Sequence, residues 1–560
     1  MPKLPYLTLI LSSLIYACLS LSERSCAVAF AEERFVGDGE RYLSITAALR
    51  DAESGDVITI RAGLYEETLE TEAAGVTLRA DPVGDEVVVT TPGRVLRISH
   101  SETTIEGLTL DGQFGDRDLV QIGAEGDNAT LRSVEIRNSG RDCVDMGRAS
   151  DVLIEDSLIH HCLRSSAPNC ADPSCREDAH GVTGSPRANV TLRRTEIHTV
   201  SGDAIQFDPN RSDPGWTGLV IEGCRLWVQP LPEAVGGYAA GVTPGENALD
   251  TKTSNGEMRP AELLIRDTTA YGWRNGLITN MSAFNLKENI DVTVDRVTVY
   301  DSEIAFRLRG ATEFRPRGAQ VGISNTVIYN VDKAIRYEDE IGIVRLDHVT
   351  LGDGIRRPLD EASATGRIRA RNVLFLGDIL PDELQDSSNL AVDPTAFVAV
   401  SDHDYHLTSD AAAIDIGESL AMVLIDRDGN LRPQGSGWDI GAYERLCESP
   451  CGTPSPDDTA PREDAALDRD VPLDEDDMGP LDMTINRVFE EGDDRVDADL
   501  DHEAPDGDVD QTSAPDMMSS RLNDEGGCRS SPRVRSSHDL FWVLISLWIL
   551  TQAGFPRRAF

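Results

Sequence analysis

The chain has 560 residues, a formal net charge of −45 and only 5% aromatic residues. An acidic body and an acidic tail argue against nucleic acid as a partner, because nucleic-acid binding requires basic patches. The charge is uneven, because about 25 acidic residues against about 5 arginines lie between Cys451 and Cys528.

The N-terminus predicts an export signal over residues 1–31. A lysine precedes an apolar run over residues 4–21, and small residues at 27–31 suit cleavage by a signal peptidase. Processing as a lipoprotein at Cys18 is the alternative, although the bulky Tyr16 fits that signal poorly. Export would permit disulfide bonds.

A short amphipathic helix is predicted next. Residues 45–52 have helical periodicity, which Ser54-Gly55-Asp56 ends, and residues 57–65 are predicted to form a first strand and turn. A solenoid needs its open apolar end covered, and a helix of this kind is a suitable cap.

A pattern of apolar or small residues recurs along the middle of the chain and predicts the architecture. One copy is Val152-x-Ile154-x-x-Ser157-x-Ile159. Further copies begin at Val190, Leu219, Leu263, Val292, Val321, Val344 and Ile368, with weaker copies at Thr103 and Ala129. The starts lie about 23 to 29 residues apart, except for two gaps of about 38 and 44, which is typical of stacked supersecondary units.

Each copy predicts two short strands joined by a corner. Alternate residues of a strand point to the same side, and the two-residue break turns the chain. The fold is therefore expected to be all-β, a right-handed parallel β-helix of about ten or more turns over residues 32–445. A β-sandwich is the alternative, but irregular hairpins would not repeat the same corner.

The helix and first strand resemble the opening of many proteins in the pectate-lyase-like β-helix superfamily. The resemblance covers about residues 42–445. It implies the fold and is weak evidence for an activity.

The two long gaps correspond to inserts near 163–178 and 229–245. Solenoids tolerate such insertions in their loops, and here they could wall a groove. Aromatic residues that lie nearby could stack on sugar rings or pack the bases of the long loops: Trp216, Trp227, Tyr238 and Trp273.

Polar residues at a nearly constant offset from the repeat starts predict two outward columns. The first is expected to contain Asp208, Lys252, Asn280 and Arg309. The second is expected to contain Gln206, Asp250, Ile278, Arg307 and Arg336. Alternation places both columns on one side of their strands, with acidic residues towards one end and basic residues towards the other.

Residues 246–254 and 306–310 resemble the acidic-Lys and Arg arrangement of β-helix polysaccharide lyases, with a longer spacing. The resemblance implies that Lys252 is a base and that Arg307 or Arg309 aids the substrate carboxylate or the leaving oxygen. It implies Ca²⁺ ligands at Asp203, Asp208, Glu246 and Asp250. The polar columns and the nearby aromatic residues predict substrate contacts at Gln206, Asn280, Arg336, Trp216, Tyr238 and Trp273. A cross-rung ion pair between Asp250 and Lys252 is the alternative.

The cysteines predict local bridges. Cys170 could pair with Cys175 inside the first insert, and Cys447 with Cys451 beyond the repeats. The partners of Cys143, Cys162 and Cys224 stay open, and Cys224 occupies a core position of the repeat.

The end of the chain predicts a cap, a spacer and an anchor. Residues 426–444 resemble the closing motif of bacterial surface β-helices that precede varied anchors, and a cap turn there is favoured over a Ca²⁺ loop. Residues 446–537 are predicted to be an acidic disordered linker. Cys528 and the hydrophobic segment 538–560 resemble a myxobacterial-type sorting signal, with a plain membrane anchor as the alternative.

Three functions are consistent with these patterns. The first is an exported, monomeric, surface-tethered lyase, or a related C5 epimerase, acting on acidic polysaccharide by Lys-based β-elimination. The second is a non-catalytic adhesin or glycan-binding module attached to the membrane or cell envelope. The third is a glycoside hydrolase, which would need a carboxylate pair such as Asp203 with Asp208 or Asp250.

Overall fold

The computed structural model describes residues 31–446 except 82–85, 186–188, 208–215, 254–258, 339, 362–366 and 386–387. The predicted signal peptide, acidic linker and C-terminal hydrophobic segment lie outside the described residues, apart from Ala31 and Leu446. Cys447, Cys451, Cys528 and Asp208 also lie outside them. Within the described ranges, no helix has the length and apolar character needed to cross a membrane.

The strands form three parallel faces, and each strand pairs with its counterparts in the coils before and after it. Face 1 contains strands Glu33–Val36, Val57–Ile60, Thr77–Ala80, Thr104–Glu106, Thr130–Arg132, Val152–Glu155, Val190–Arg193, Gly218–Glu222, Ala261–Arg266, Ile290–Asp295, Gln320–Ser324, Ile343–Asp347 and Arg367–Arg371. Successive copies of the repeat pair in register, as Val190 with Leu219 and Leu263 with Val292. The apolar period therefore sets the stacking.

Faces 2 and 3 follow face 1 in each coil. Face 2 contains strands Gly63–Tyr65, Val87–Thr90, Thr109–Asp111, Glu135–Ser139, Leu158–Cys162, Glu196–Val200, Arg225–Trp227, Thr269–Tyr271, Thr350–Leu351, Leu374–Leu376 and Leu390–Val392. Face 3 contains Leu69–Glu70, Leu96–Ile98, Val120–Ile122, Val144–Asp145, Val182–Gly184, Ile205–Phe207, Asn247–Thr251, Ser282–Leu286 and Arg357–Glu361. The long strands Thr298–Leu308 and Val327–Tyr337 run through both faces.

The remaining elements are short. The helix α1 spans Ile45–Arg50. Two antiparallel strand pairs join Arg164–Ser165 to Arg176–Glu177 and Phe397–Ala399 to Asp404–Leu407. Short 3-10 helices lie at Pro173–Cys175, Asp382–Leu384, Pro394–Ala396 and Val400–Asp402. The predicted all-β parallel β-helix is confirmed. Its right-handed sense follows the strong preference of parallel strand crossovers for that hand.

The corners between faces are single residues with left-handed backbone. Between faces 1 and 2 this residue is Gly107, Ser133, Asp156, Arg194, Gly223, Asp267, Arg296, Asn325, His348 or Asn372, in successive coils. Between faces 2 and 3 it is Asn138, His161, Thr199, Asp301 or Asn330. One left-handed residue turns the chain sharply without ending the ladder, and Asn and Asp tolerate this conformation better than most residues.

Face 1 carries an alternating ladder of charges on its outer surface. Strand register stacks Arg79, Glu106, Arg132, Glu155, Arg193, Glu222 and Arg266 in that order. Glu222 lies between two arginines, 2.9 Å from Arg193 Nε and 2.5 Å from Arg266 Nη2. In the observed register each of these charges lies next to an opposite charge in the adjacent coil. Like charges at these positions would repel each other, so the alternation favours this register.

Two disulfides stabilise the coil region that carries the inserts. Cys170 pairs with Cys175 as predicted. Cys143 pairs with Cys162, and both are buried between successive coils. Cys224 is unpaired and buried, consistent with its core position in the repeat.

The helix α1 covers the N-terminal end of the solenoid. Its buried face consists of Ile45, Ala48 and Leu49. The Ser44 hydroxyl accepts a hydrogen bond from Ala47 N, and the Glu67 carboxylate accepts bonds from the first two amides of the helix. These bonds satisfy amide groups that have no partner within a helix.

The closing motif forms the C-terminal cap. Asp426 is buried, and its carboxylate accepts hydrogen bonds from the amides of Asp428, Asn430 and Glu444. These hydrogen bonds hold the turn in place, which fits the cap-turn interpretation.

Arg432 connects the cap to the solenoid. Its guanidinium lies 2.7 Å from Glu444 Oε1, and both side chains are fully buried. It also donates to the corner residue Asn325 at 3.0 Å. The next corners, His348 and Asn372, hydrogen-bond to the cap backbone, and burial lowers the pKa of His348 to about 2.

Candidate functional site

A buried polar ladder begins the strands of face 3. It contains Asp142, His180, Asp203, Asn247 and Ser282 in successive coils. Each of the first four side chains accepts a hydrogen bond from the backbone amide of the next member, at 2.8 to 3.1 Å. The ladder therefore satisfies one amide per coil at the corner where the chain enters face 3.

The predicted roles of Asp203 are corrected by its burial. Its side chain has no exposed surface, one oxygen accepts two bonds from Asn247, and the other accepts a bond from Gln206 Nε2 at 2.8 Å. Burial, with repulsion from Glu246 and Asp250, raises the pKa of Asp203 to about 8. Asp203 is therefore a structural residue rather than a Ca²⁺ ligand or a hydrolytic acid facing a substrate.

The second predicted column exists with one correction. Register stacks Gln206, Asp250, Asn285, Arg307 and Arg336. Asn285 takes the place predicted for Ile278, because residues 272–281 form a loop and the strand begins only at Ser282.

The first predicted column needs the same correction. Backbone bonds place Lys252 beside Phe207 and Arg309 beside Leu286, so Lys287 occupies the coil between Lys252 and Arg309. Asn280 lies instead in the preceding loop, where its side-chain oxygen accepts a bond from Arg336 at 2.6 Å. Lys287 is the residue that the sequence interpretation missed.

The two columns bring five cations together, which we call the cationic patch: Lys252, Lys287, Arg307, Arg309 and Arg336. Asp250, Glu338 and Asp360, which pairs in register with Arg336, are the described acidic residues of the same columns. Lys287 Nζ lies 3.0 Å from Asp250 Oδ2, and Arg309 Nε lies 2.7 Å from Glu338 Oε2. Five cations against three described carboxylates leave a formal excess of positive charge on a strongly acidic protein.

Arg307 is a largely buried cation of the patch. Burial, with repulsion from Arg309, lowers the pKa of its guanidinium. Its nearest described carboxylate is Glu338, at 3.8 Å, and Arg336 stacks directly on it in the next coil. Arg307 Nε and Arg336 Nε are buried without a hydrogen-bond partner among the described atoms. Stacked like charges are unfavourable, so an anion at this position would stabilise both side chains.

The residues proposed to bind Ca²⁺ are engaged elsewhere. Arg176 of the first insert lies 3.1 Å from Glu246, while Asn285 and Lys287 each contact one oxygen of Asp250. No group of three or more His, Cys, Asp or Glu side chains suited to a metal ion is found in the described ranges. Glu246 and Asp250 are therefore already paired with neighbouring side chains, and the described cations of this face are arginine and lysine.

The two inserts stand at the corner between faces 2 and 3 and pack against each other. Their apolar cluster contains Leu163, Cys170, Cys175, Leu231 and Tyr238. Cys170 N donates to Gly237 O at 2.8 Å, and the Tyr238 hydroxyl donates to Arg164 O at 2.6 Å. The inserts thus form a wall beside face 3.

The three aromatic residues predicted to contact sugar are buried. Trp216, Tyr238 and Trp273 are 3%, 1% and 0% exposed. The indole groups donate to Lys252 O and Leu226 O. The prediction of sugar stacking is corrected for all three, because their rings pack beneath the loops as the alternative anticipated.

An aromatic stack that the sequence interpretation did not predict follows face 2. Its rings are His160, His198, Trp227, Tyr271, Tyr300, Tyr329 and His403. From Trp227 to Tyr329 the ring planes lie within 7° of parallel, at centroid distances of 4.7 to 5.8 Å. Neighbouring rings cover each other's faces, so the stack stabilises the coils rather than offering a flat surface to a sugar.

No family model matches the chain, and no curated protein matches it. Among solved structures, it is similar to the pectate lyase Pel9A, with 14% identity, a TM-score of 0.38 and coverage of 74% of this chain and 97% of that one. It is also similar to an alginate lyase from Paenibacillus sp., with 12% identity, a TM-score of 0.32 and coverage of 59% of this chain and 95% of that one. A rhamnogalacturonan lyase shows 9% identity, a TM-score of 0.40 and coverage of 66% of this chain and 91% of that one.

These likenesses are too distant to carry an argument about activity, because every identity is below 25% and every TM-score is below 0.5. The architecture rests on the register of the chain's own strands. By that register, the chain is a right-handed parallel β-helix.

Proposed function

We propose that the protein is exported, tethered to the cell surface through its C-terminal segment, and binds an acidic polysaccharide at the cationic patch. The observation that carries the proposal is the like-charge stacking of Arg307 and Arg336 beside Arg309 and Lys287 on a chain of net charge −45. A polymer with regularly spaced carboxylates would neutralise cations that lie one strand spacing apart, about 4.8 Å.

The reaction that suits this patch is β-elimination from a uronate unit. Lys252, in its neutral form, takes the proton from the carbon next to the carboxylate. The electrons of that C–H bond form a carbon–carbon double bond as the glycosidic C–O bond breaks, and the leaving oxygen takes a proton from solvent. Arg307 and Arg309 stabilise the negative charge that develops on the carboxylate. A C5 epimerase would share the first step and return a proton to the opposite face.

Binding can be tested separately from chemistry with immobilised polyuronates and a neutral glucan. We expect retention on at least one polyuronate, release by salt and no retention on the glucan. Salt screens the attraction between the cations of the patch and the carboxylates of the polymer, and the glucan has no charge. The double variant Arg307→Gln/Arg336→Gln should weaken binding at least about tenfold, as expected for losing charge-assisted hydrogen bonds.

A matched control exists on face 1, where Arg345 and Arg369 also stack in register. The variant Arg345→Gln/Arg369→Gln removes the same charge and should bind as the unmodified protein does. Equal weakening by both double variants would show non-specific attraction and would contradict a binding site at the cationic patch.

A further inference from the structure

Lys287 lies at the centre of the cationic patch. It follows strand Ser282–Leu286 and occupies the coil between Lys252 and Arg309 in the same column. Its side chain is 21% exposed, whereas its partner Asp250 is only 5% exposed. The ammonium group therefore lies nearer the surface than the carboxylate that holds it.

Asp250 fixes this ammonium group by a short polar chain. Asn285 Nδ2 donates to Asp250 Oδ1 at 3.0 Å, and Lys287 Nζ donates to Asp250 Oδ2 at 3.0 Å. Asn285 itself is 4% exposed, and its Oδ1 has no hydrogen-bond partner among the described atoms. The arrangement restricts a side chain that would otherwise sample many rotamers, so less entropy is lost when a ligand binds.

The same pair controls the charge that an incoming ligand meets. Without Lys287, the carboxylate of Asp250 would keep the hydrogen bond from Asn285 but lose its ammonium partner, and it would repel an anion. With Lys287 in place, the centre of the patch is neutralised and its outermost group is a cation. Removal of this one ammonium group thus changes the local charge by one unit and uncovers a buried acid.

We infer that Lys287 is the residue that makes the patch select carboxylate-bearing sugar units over their neutral or esterified counterparts. This inference rests on the proposed function and names the substrate class of the same site, a polymer of free uronates. Lys287 binds the carboxylate of a bound unit, and Asp250 is its positioning residue.

The test compares affinities for oligogalacturonate, oligomannuronate and their methyl esters, measured by calorimetry on the full mature chain. The unmodified protein should prefer one free acid over its ester by at least about tenfold, the scale of one charge-assisted hydrogen bond. Lys287→Gln should lose that preference by weakening binding of the acid while changing ester binding less than about twofold. Lys287→Arg should restore most of it.

Arg371→Gln is the matched control, because Arg371 also pairs with an aspartate, Asp347 at 2.9 Å, on face 1 and so outside the patch. It should leave both affinities unchanged. An acid preference that survives in Lys287→Gln, or an equal loss for acid and ester, overturns the inference while the proposed function stands. Failure of the unmodified protein to bind any free acid overturns both.

Discussion

Replacing Lys252 by alanine should lower the rate of unsaturated-uronide formation by about a hundred- to ten-thousandfold, the usual contribution of a general base. Lys252 directly follows strand Asn247–Thr251 at the edge of the cationic patch, and only its backbone carbonyl is needed to accept the bond from Trp216 Nε1. The substitution therefore removes the amine without disturbing that contact. Product formation is followed by the ultraviolet absorbance of the new double bond.

Two further measurements show whether such a loss is chemical. The alanine variant should keep its melting temperature and bind the polymer with an affinity within about threefold of the unmodified protein, since four cations of the patch remain. Loss of binding together with activity would make Lys252 a binding residue. Full activity in the variant would exclude it as the base.

Replacing Arg432 by methionine should lower the free energy of unfolding by about 3 to 5 kcal/mol, because it leaves the carboxylate of Glu444 buried and unpaired. Both side chains of the pair are fully buried, and Arg432 also donates to Asn325, Gly441 and Ala442. The cap would thereby lose its main polar attachment to the solenoid. Urea unfolding of the purified protein measures the change.

Arg356→Met provides the comparison. Arg356 is 62% exposed and lies 3.5 Å from Asp332, so its removal should cost less than about 1 kcal/mol, as for other surface ion pairs. Equal stability losses for the two variants would mean that the buried pair has no special role in holding the cap.

The fold was predictable because the core face of every coil repeats the same apolar pattern. A strand shifted by one residue would turn its apolar side chains outward, so this pattern specifies the register of face 1. Val152, Val190 and Leu219 accordingly pair across three coils. The alternating charges of face 1 favour the same register.

The site was predictable only in part, because the loop before Ser282 is longer than the offset from the next repeat suggested. Counting a constant offset backwards from the next repeat start at Val292 placed Ile278 and Asn280 in the columns. A better signal was present in the strand itself. Ala248-Leu-Asp-Thr-Lys252, Ala283-Phe-Asn-Leu-Lys287 and Ala305-Phe-Arg-Leu-Arg309 share one arrangement of small, apolar, polar, uncharged and cationic residues.

Burial was the feature that sequence patterns could not supply. Asp203 and Asp250 were both predicted as Ca²⁺ ligands, yet Asp203 lies inside the polar ladder and Asp250 is paired with Lys287. Which of two aspartates faces solvent depends on the inserts and on side-chain bonds to the next coil. These contacts join residues that are 23 to 44 positions apart in sequence.

The most direct test of the central claim is to incubate the purified protein with a panel of polyuronates and to measure unsaturated uronide ends. The account predicts that at least one free-acid polymer gives such ends and that Arg307→Gln/Arg336→Gln suppresses them. New reducing ends without unsaturation would indicate hydrolysis and contradict the account. Tight binding of a polyuronate with neither unsaturated product nor epimerised units would leave a glycan-binding module and would refute catalysis at the cationic patch.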